Sequence, residues 1–311
     1  MNQTNQTWVT EFFLLGLSDD PQTQRLLFIL FLAVYLGTLL GNLLLTSLVV
    51  FDSQLHTPMY FFLCNLSLSD FCFSTTTVPQ TLIHMLSSKK SISFTGCAAQ
   101  VLLFLFFGST VCVLLGVMSY DRYLAICDPM HYSLVMTWKV CGLFAIGCWS
   151  SGLVASAVDS TFIFSLPYHG DNQIPHFFCE APSLLALASA DIHRTEMVIF
   201  FVGVVIIVTP LLLILISYMF IIVSVVRMKT VSGRLKAFST CGSHLIVVIL
   251  FYGSAITTYM TPKSSQELGK MISVLYSVIN PMLNPLIYSL RNKDVKKAFR
   301  NVANRTPLCR T

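Results

Sequence analysis

Three places in the chain put charge inside long apolar runs: Asp70, the adjacent Asp121 and Arg122, and Asp159. An unpaired ionised side chain at mid-membrane depth costs at least ~2.5–3.5 kcal/mol, so each must be neutralised, paired, ion-bound or used. Asp70 could be a neutral hydrogen-bonder or could hold a cation. Asp121 beside Arg122 could form an ion pair that yields when a partner competes for the arginine. Asp159 could snorkel to an interface, or, facing inward, favour an amine or a strong hydrogen-bond donor. Catalysis finds little support: no Ser/His/Asp set, metal-ligand helix or phosphate loop emerges, and His84, His131 and His244 are dispersed. A light-sensing pigment would need a Schiff-base lysine in the last apolar stretch, 271–290, which has none.

The elements that hold these residues follow from where charge is missing. Of 311 residues 55% are hydrophobic and 11% charged, far below the roughly one quarter charged of a soluble chain. Stretches 26–51, 91–120, 140–158, 197–226, 237–262 and 271–290 lack Asp, Glu, Lys and Arg, and 53–88 is interrupted by Asp70 alone. A hydrocarbon core needs ~20 helical residues, and these stretches reach or approach that. Their apolar runs are too continuous for barrel strands, so the expectation is an all-α membrane protein. Its seven spans fall at about 26–50, 58–86, 97–126, 140–164, 197–226, 237–260 and 271–290. Residues 1–25 then form an outer N-terminus and 291–311 an inner tail. Thirteen Lys and Arg fall on the C-terminal side of the bilayer and six on the other, which orients the C-terminus inward. The basic balance thus reports topology, and no nucleic-acid partner is expected.

This orientation sorts the other signals. Asn2-Gln3-Thr4 and Asn5-Gln6-Thr7 are glycosylation sequons on the outer side, whereas Asn65-Leu66-Ser67 lies inside a span and is fortuitous. No cleaved signal peptide is evident, and the first span is expected to act as the insertion signal. Of ten cysteines, Cys97 and Cys179 share the oxidising side, so a bridge between them is expected to tie the long outer loop, about 165–196, across the bundle. After the seventh span, Asn292–Val302 spaces Val295, Phe299 and Val302 at helical intervals, as an amphipathic helix on the lipid headgroups would.

The third span ends in M-S-Y-D-R-Y-L-A-I-C-D-P-M-H-Y (Met118–Tyr132), which closely resembles the signature of olfactory receptors in the rhodopsin-like G-protein-coupled receptor superfamily. The likeness continues in L-G-N at Leu40–Asn42, L-H-T-P-M-Y-F-F-L at Leu55–Leu63 and S-L-S-D at Ser67–Asp70. It extends through K-A-F-S-T-C-G-S-H-L at Lys236–Leu245 and P-M-L-N-P-L-I-Y-S-L-R-N at Pro281–Asn292. Together these cover nearly all of 10–302, and the loop forms look like the tetrapod, class II branch. The resemblance implies an odorant receptor of the olfactory cilia and plasma membrane. Its partner would be a stimulatory olfactory G protein that raises cyclic AMP. It also implies a polar core of Asn42, Asp70 and Asn284 that could take a sodium ion, with no other cofactor. Coupling and switching would fall to Asp121, Arg122, Tyr123, Tyr218, Lys236, Ser239, Thr240, His244, Asn284, Pro285 and Tyr288. Pro210 and Pro285 would permit kinks, and Tyr218 and Tyr288 would swing toward Arg122.

Two positions depart from the family pattern: His169 and Ser189 stand where cysteines usually form a second loop disulfide. His176 and Cys179 have metal-ligand chemistry, but an oxidised Cys179 is no thiolate, so His176 reads as a loop hydrogen-bonder. Helical spacing projects Phe104, Leu105, Gly108 and Ser109 of the third span toward a ligand site in the outer half of the bundle, joined by Asp159. The fifth span adds Val202, Gly203 and Ile206, and the sixth Phe251, Tyr252, Ala255 and Tyr259. The seventh adds Val274 and Ser277; Tyr252 replaces the tryptophan common elsewhere in the superfamily. Most are apolar, as small volatile ligands require. The runner-up is a non-olfactory rhodopsin-like receptor; an amine receptor of that kind would carry a third-span carboxylate, and 91–120 has none. A transporter would show repeats or matched broken helices, which are absent.

Overall fold

The computed structural model describes residues 9–170, 172–228, 230–259, 266–291 and 295–300. The first three spans are α1 (Pro21–Phe51), α2 (Pro58–Leu86) and α3 (Phe94–Cys127). A short α4 (Pro129–Val135) leads to the fourth span, α5 (Trp138–Phe164), and α6 (Ala181–Leu187) lies in the long loop. The fifth span is α7 (His193–Gly203), a π turn at Val204–Val208, and α8 (Thr209–Arg227). The sixth is α9 (Val231–Tyr259); the seventh is α10 (Gln266–Val274), a π turn at Leu275–Ile279, and α11 (Asn280–Arg291). The third span is the central column, packed against the second, fourth, fifth and sixth.

Local chemistry explains the helix starts. Asp20 accepts a hydrogen bond from Thr23 N at 2.9 Å and is followed by Pro21 in the first turn. Ser93 and Thr137 cap the third and fourth spans by accepting from Gly96 N and Val140 N. Such polar first turns start several helices earlier than the charge-free stretches do. Among the described residues, six helical spans are long and apolar enough to cross a membrane. The second is not among them, because its inward face carries Ser67, Ser69, Asp70, Ser74, Thr77 and Thr81, all buried. It is nonetheless 29 residues long and lies between the first and third spans, completing a seven-helix bundle. Large apolar side chains such as Leu26, Leu40 and Phe51 project outward, 67–83% exposed, where lipid would cover them.

Close approaches rest on small residues. A Cβ on Gly152 would meet Thr110 Oγ1 at 2.3 Å and the Phe106 carbonyl at 2.9 Å, so the third and fourth spans touch backbone to backbone. Asn65 serves the same packing: its Oδ1 accepts from Trp149 Nε1 at 3.0 Å, joining the second and fourth spans.

One end of the bundle carries a small sheet that the helical reading had not foreseen. β1 (Glu11–Leu14) is central, antiparallel to β2 (Ser91–Ser93) and parallel to β3 (Gln173–Ile174). Its register pairs Glu11 with Ser93, and Phe13 with both Ser91 and Gln173. Phe12 and Leu14 point down into an apolar cluster with Ile92, Val101, Ile163 and Ile174. At the opposite end, residues 295–300 are helical; Val295 and Ala298 are buried against the bundle. Phe299, expected on the same face as Val295, is instead 49% exposed. Val302 lies outside the described residues.

Candidate ligand cavity and switch region

Beneath the sheet end, the third to sixth spans diverge around a cavity of about 810 Å³, counting space that opens outward. The third span contributes Phe104, Leu105, Gly108, Ser109 and Cys112, and the fourth Asp159 and Ile163. Val202, Gly203 and Ile206 line it from the fifth span, and Phe251 and Ala255 from the sixth. The structure thus brings together most of the residues that helical spacing had pointed at this region. A snorkelling Asp159 is ruled out by its burial, at 7% exposure beside the cavity.

Three expected positions do not line the cavity. Tyr252 is 2% exposed and its hydroxyl donates to the Cys112 carbonyl at 2.7 Å, pinning the ring between the sixth and third spans. Val274 packs among apolar neighbours, and Ser277 is buried with its hydroxyl on the Ser273 carbonyl. The cause is the π turn at Leu275–Ile279, which widens the helix and breaks the spacing used to project its face. Tyr276 faces the cavity instead. The Tyr259 side chain lies outside the described residues. Spacing also missed Phe73 from the second span, Ile199, Phe200 and Ile207 from the fifth, and Ala181 from the loop. Phe73 was recoverable, since it stacks on Phe104 at 4.6 Å and shares the second span's inward stripe. Ala181 carried no periodic signal.

The long loop forms the roof. Cys97 and Cys179 are joined by a disulfide, and Cys179 N donates to Gln100 Oε1 at 2.9 Å. Gln100 in turn donates to the Thr76 carbonyl and Gln80, locking the loop onto the second and third spans. Phe178 packs on Phe104 with centroids 4.9 Å apart. Glu180 is buried and accepts hydrogen bonds from Tyr276 and, at 3.3 Å, from Ser273, so the loop is also tied to the seventh span. Burial pushes the Glu180 carboxyl up to about 7, against the pull of those hydroxyls. His176 Nε2 lies 3.2 Å from Glu180 Oε2, but neither ring nitrogen is aligned for a hydrogen bond. Burial, with help from Lys270, lowers His176 to about 3, so the ring is neutral and the contact is no ion pair. The His176 ring stacks on Phe177 at 4.6 Å. No cluster of three metal-ligating side chains occurs among the described residues. Where a second disulfide was missing, His169 N donates to Ser189 Oγ and Ser189 Oγ donates to the His169 carbonyl, both at 3.2 Å.

Deeper in the bundle, Asn284 Nδ2 donates to Asp70 Oδ2 at 2.7 Å. Asn42 is not in that pair: its Nδ2 donates to the Thr38 and Pro281 carbonyls. Pro285 packs against Gly41, where a Cβ would meet its ring at 3.0 Å.

Toward the opposite end, Asp121 and Arg122 form no salt bridge within 4 Å. Asp121 accepts from the Tyr132 hydroxyl at 2.8 Å instead, because consecutive residues on a helix point in different directions. Arg122 is buried, and its Nε has no hydrogen-bond partner; the same holds for the Tyr288 hydroxyl. Tyr123 is half-buried against Phe220. His244 is fully buried. Its Nε2 is 3.1 Å from the Leu115 carbonyl, which can only accept, so Nε2 carries the proton and Nδ1 accepts from Tyr218 at 2.8 Å. The Tyr218 hydroxyl also lies 3.1 Å from the Cys241 carbonyl, and so the third, fifth and sixth spans meet at one imidazole. The side chains of Lys236, Ser239 and Thr240 lie outside the described residues, as do Asn2 and Asn5.

The family model described as "Olfactory receptor" matches residues 31–305. The chain is 68% identical to Olfactory receptor 2D2 of Homo sapiens over 305 residues, covering 98% of this chain and 99% of that one. It is 50% identical to Olfactory receptor 1f45 of Rattus norvegicus, covering 97% of each. It is 47% identical to Olfactory receptor 2B2 of Homo sapiens, with 99% and 87% covered.

Proposed function

The chain belongs to the olfactory receptor family, and we propose that its cavity between the third and sixth spans is where a small volatile ligand binds. Membership makes it a multi-pass membrane receptor of the G-protein-coupled class and not an enzyme. The observation that carries the ligand reading is the cavity's lining, built from Phe104, Ile206, Phe251 and other apolar side chains with few polar atoms. Such a site binds by burying hydrocarbon, at about 25 cal/mol per Å². The loop roof, fixed by the Cys97–Cys179 bridge, shields the ligand from water.

In this reading the sheet end faces outward and the C-terminal end faces the cytosol. Ligand contact at Phe251, the residue next to the pinned Tyr252, reaches the sixth span and loads the His244–Tyr218 contact below it. Release of that contact swings the inner end of the sixth span outward and frees Arg122 for the C-terminal helix of a stimulatory olfactory G protein. Cyclic AMP rises in consequence. Asp70, with one oxygen held by Asn284, has the donor chemistry for a sodium ion at its other oxygen. Anionic lipid headgroups meet the basic helix after the seventh span.

The test is a cyclic AMP reporter in transfected cells, read against a volatile panel with surface expression measured in parallel. Ligand-dependent cyclic AMP is the expected result. Silence toward every volatile at normal surface level counts against the reading.

A further inference from the structure

Four carboxylates among the described residues are buried: Asp70, Asp121, Asp159 and Glu180. Three are satisfied by the protein itself, Asp70 by Asn284, Asp121 by Tyr132 and Glu180 by Tyr276 and Ser273. Asp159 is the exception. It is 7% exposed, its Oδ1 has no hydrogen-bond partner, and it lines the cavity. No Lys, Arg or His is among the lining residues, and the Tyr276 hydroxyl there is already committed to Glu180. Ser109 offers a hydroxyl from the third span, and the surfaces around it, Phe104, Ile206 and Phe251, are apolar.

A buried carboxylate without a partner is destabilising while ionised, and an arriving cation or donor offsets that cost. The geometry points to amines as the ligand class of this cavity: a protonated amino head pairs with Asp159, and a short hydrocarbon body fills the apolar remainder. This deepens, and rests on, the reading of the cavity as the odorant site. The fourth span thereby supplies the anion that the third span lacks. The same carboxylate selects against acids, since a second anion would enter a site with no cation to meet it.

The experiment uses full-length receptor in transfected cells with a cyclic AMP reporter and surface staining. The probes are straight-chain primary amines, their N-acetyl derivatives, and alcohols, ketones and carboxylic acids of equal carbon number. On the unmutated receptor, amines are expected to act at concentrations at least tenfold below matched alcohols. N-acetylation, which removes the charge, is expected to cost at least tenfold, and acids to be inactive. Asp159→Asn is expected to lower the amine-to-alcohol potency ratio at least tenfold, and Asp159→Glu to restore most of it. An unchanged ratio in Asp159→Asn overturns the inference, as does activation by neutral ligands with none by amines, while either result leaves the odorant site standing. If Asp159→Asn fails to reach the surface, the N-acetyl comparison decides alone, and equal potency of amine and amide overturns the inference. Silence toward the whole panel at normal surface level overturns both readings.

Discussion

Glu180 shows how one buried side chain can make a roof sensitive to pH. Its carboxyl rises to about 7 from an ordinary 4.5, so the docked loop favours the protonated form. The stabilisation is fully present below about 4.5 and is lost as pH climbs through about 7. Between pH 5.5 and 7.5 that amounts to about 2 kcal/mol. His176, lowered to about 3 from 6.5, acts in the opposite sense, because acid below 6.5 favours the undocked ring. Tyr276, Ser273 and Lys270 are the seventh-span groups involved at the cluster. A comparison with Glu180→Gln isolates the carboxylate. Melting of purified receptor should show wild type losing about 2 kcal/mol relative to the variant between pH 5.5 and 7.5; parallel pH profiles would remove Glu180 from the account. That this residue mattered was not legible in the chain, because its partners lie more than 90 residues away on another span. Asp121 was misread for a related reason: neighbours on a helix point in different directions, so its carboxylate accepts from Tyr132 and makes no salt bridge within 4 Å to Arg122.

Between elements, contact distance sets what substitution is tolerated. Gly152 faces the Phe106 carbonyl and Thr110, with no flexible side-chain end to give way on the backbone side. Gly152→Ala should therefore force the third and fourth spans apart, at about 1–3 kcal/mol, with a lower melting temperature and surface level as readouts. A second element-level prediction concerns His244, where three spans meet. His244→Phe keeps a flat ring, somewhat larger than imidazole, but removes both hydrogen bonds, each worth about 1 kcal/mol, a factor of about five in an equilibrium. Ligand-free cyclic AMP at matched surface expression should rise; unchanged basal signalling would show that the imidazole does not restrain the sixth span. Span positions were readable because lipid demands long charge-free runs, and the third span's cavity face because its helix is regular there. The seventh span's face was not, since a π turn leaves no residue signature of its own. The four-residue strand Glu11–Leu14 was equally hidden, being too short to show a period and stabilised by segments 80 and 160 residues distant.

At the scale of the whole molecule, orientation joins the small sheet, the disulfide and the charge bias into one claim. The Cys97–Cys179 bridge sits at the sheet end, and an oxidising compartment is where such a bridge persists. The sequons at Asn2 and Asn5 precede β1 in the sequence. The sequence assigns thirteen of the nineteen Lys and Arg to the C-terminal side of the bilayer, the distribution that keeps a segment on the cytosolic side. These arguments rest on different chemistry: one on thiol oxidation, one on sequons that a lumenal enzyme would read, one on the insertion of cations. Each supports the proposed outer N-terminus. An epitope placed before residue 9 should stain intact cells, and a C-terminal epitope should stain only permeabilised ones. An endoglycosidase should increase gel mobility, and a double Asn2→Gln, Asn5→Gln variant should run at the deglycosylated position without treatment. Staining of the C-terminus on intact cells would reverse the orientation. It would also place the Asp159 cavity toward the cytosol, where volatile ligands from outside would have to cross the bilayer before reaching it.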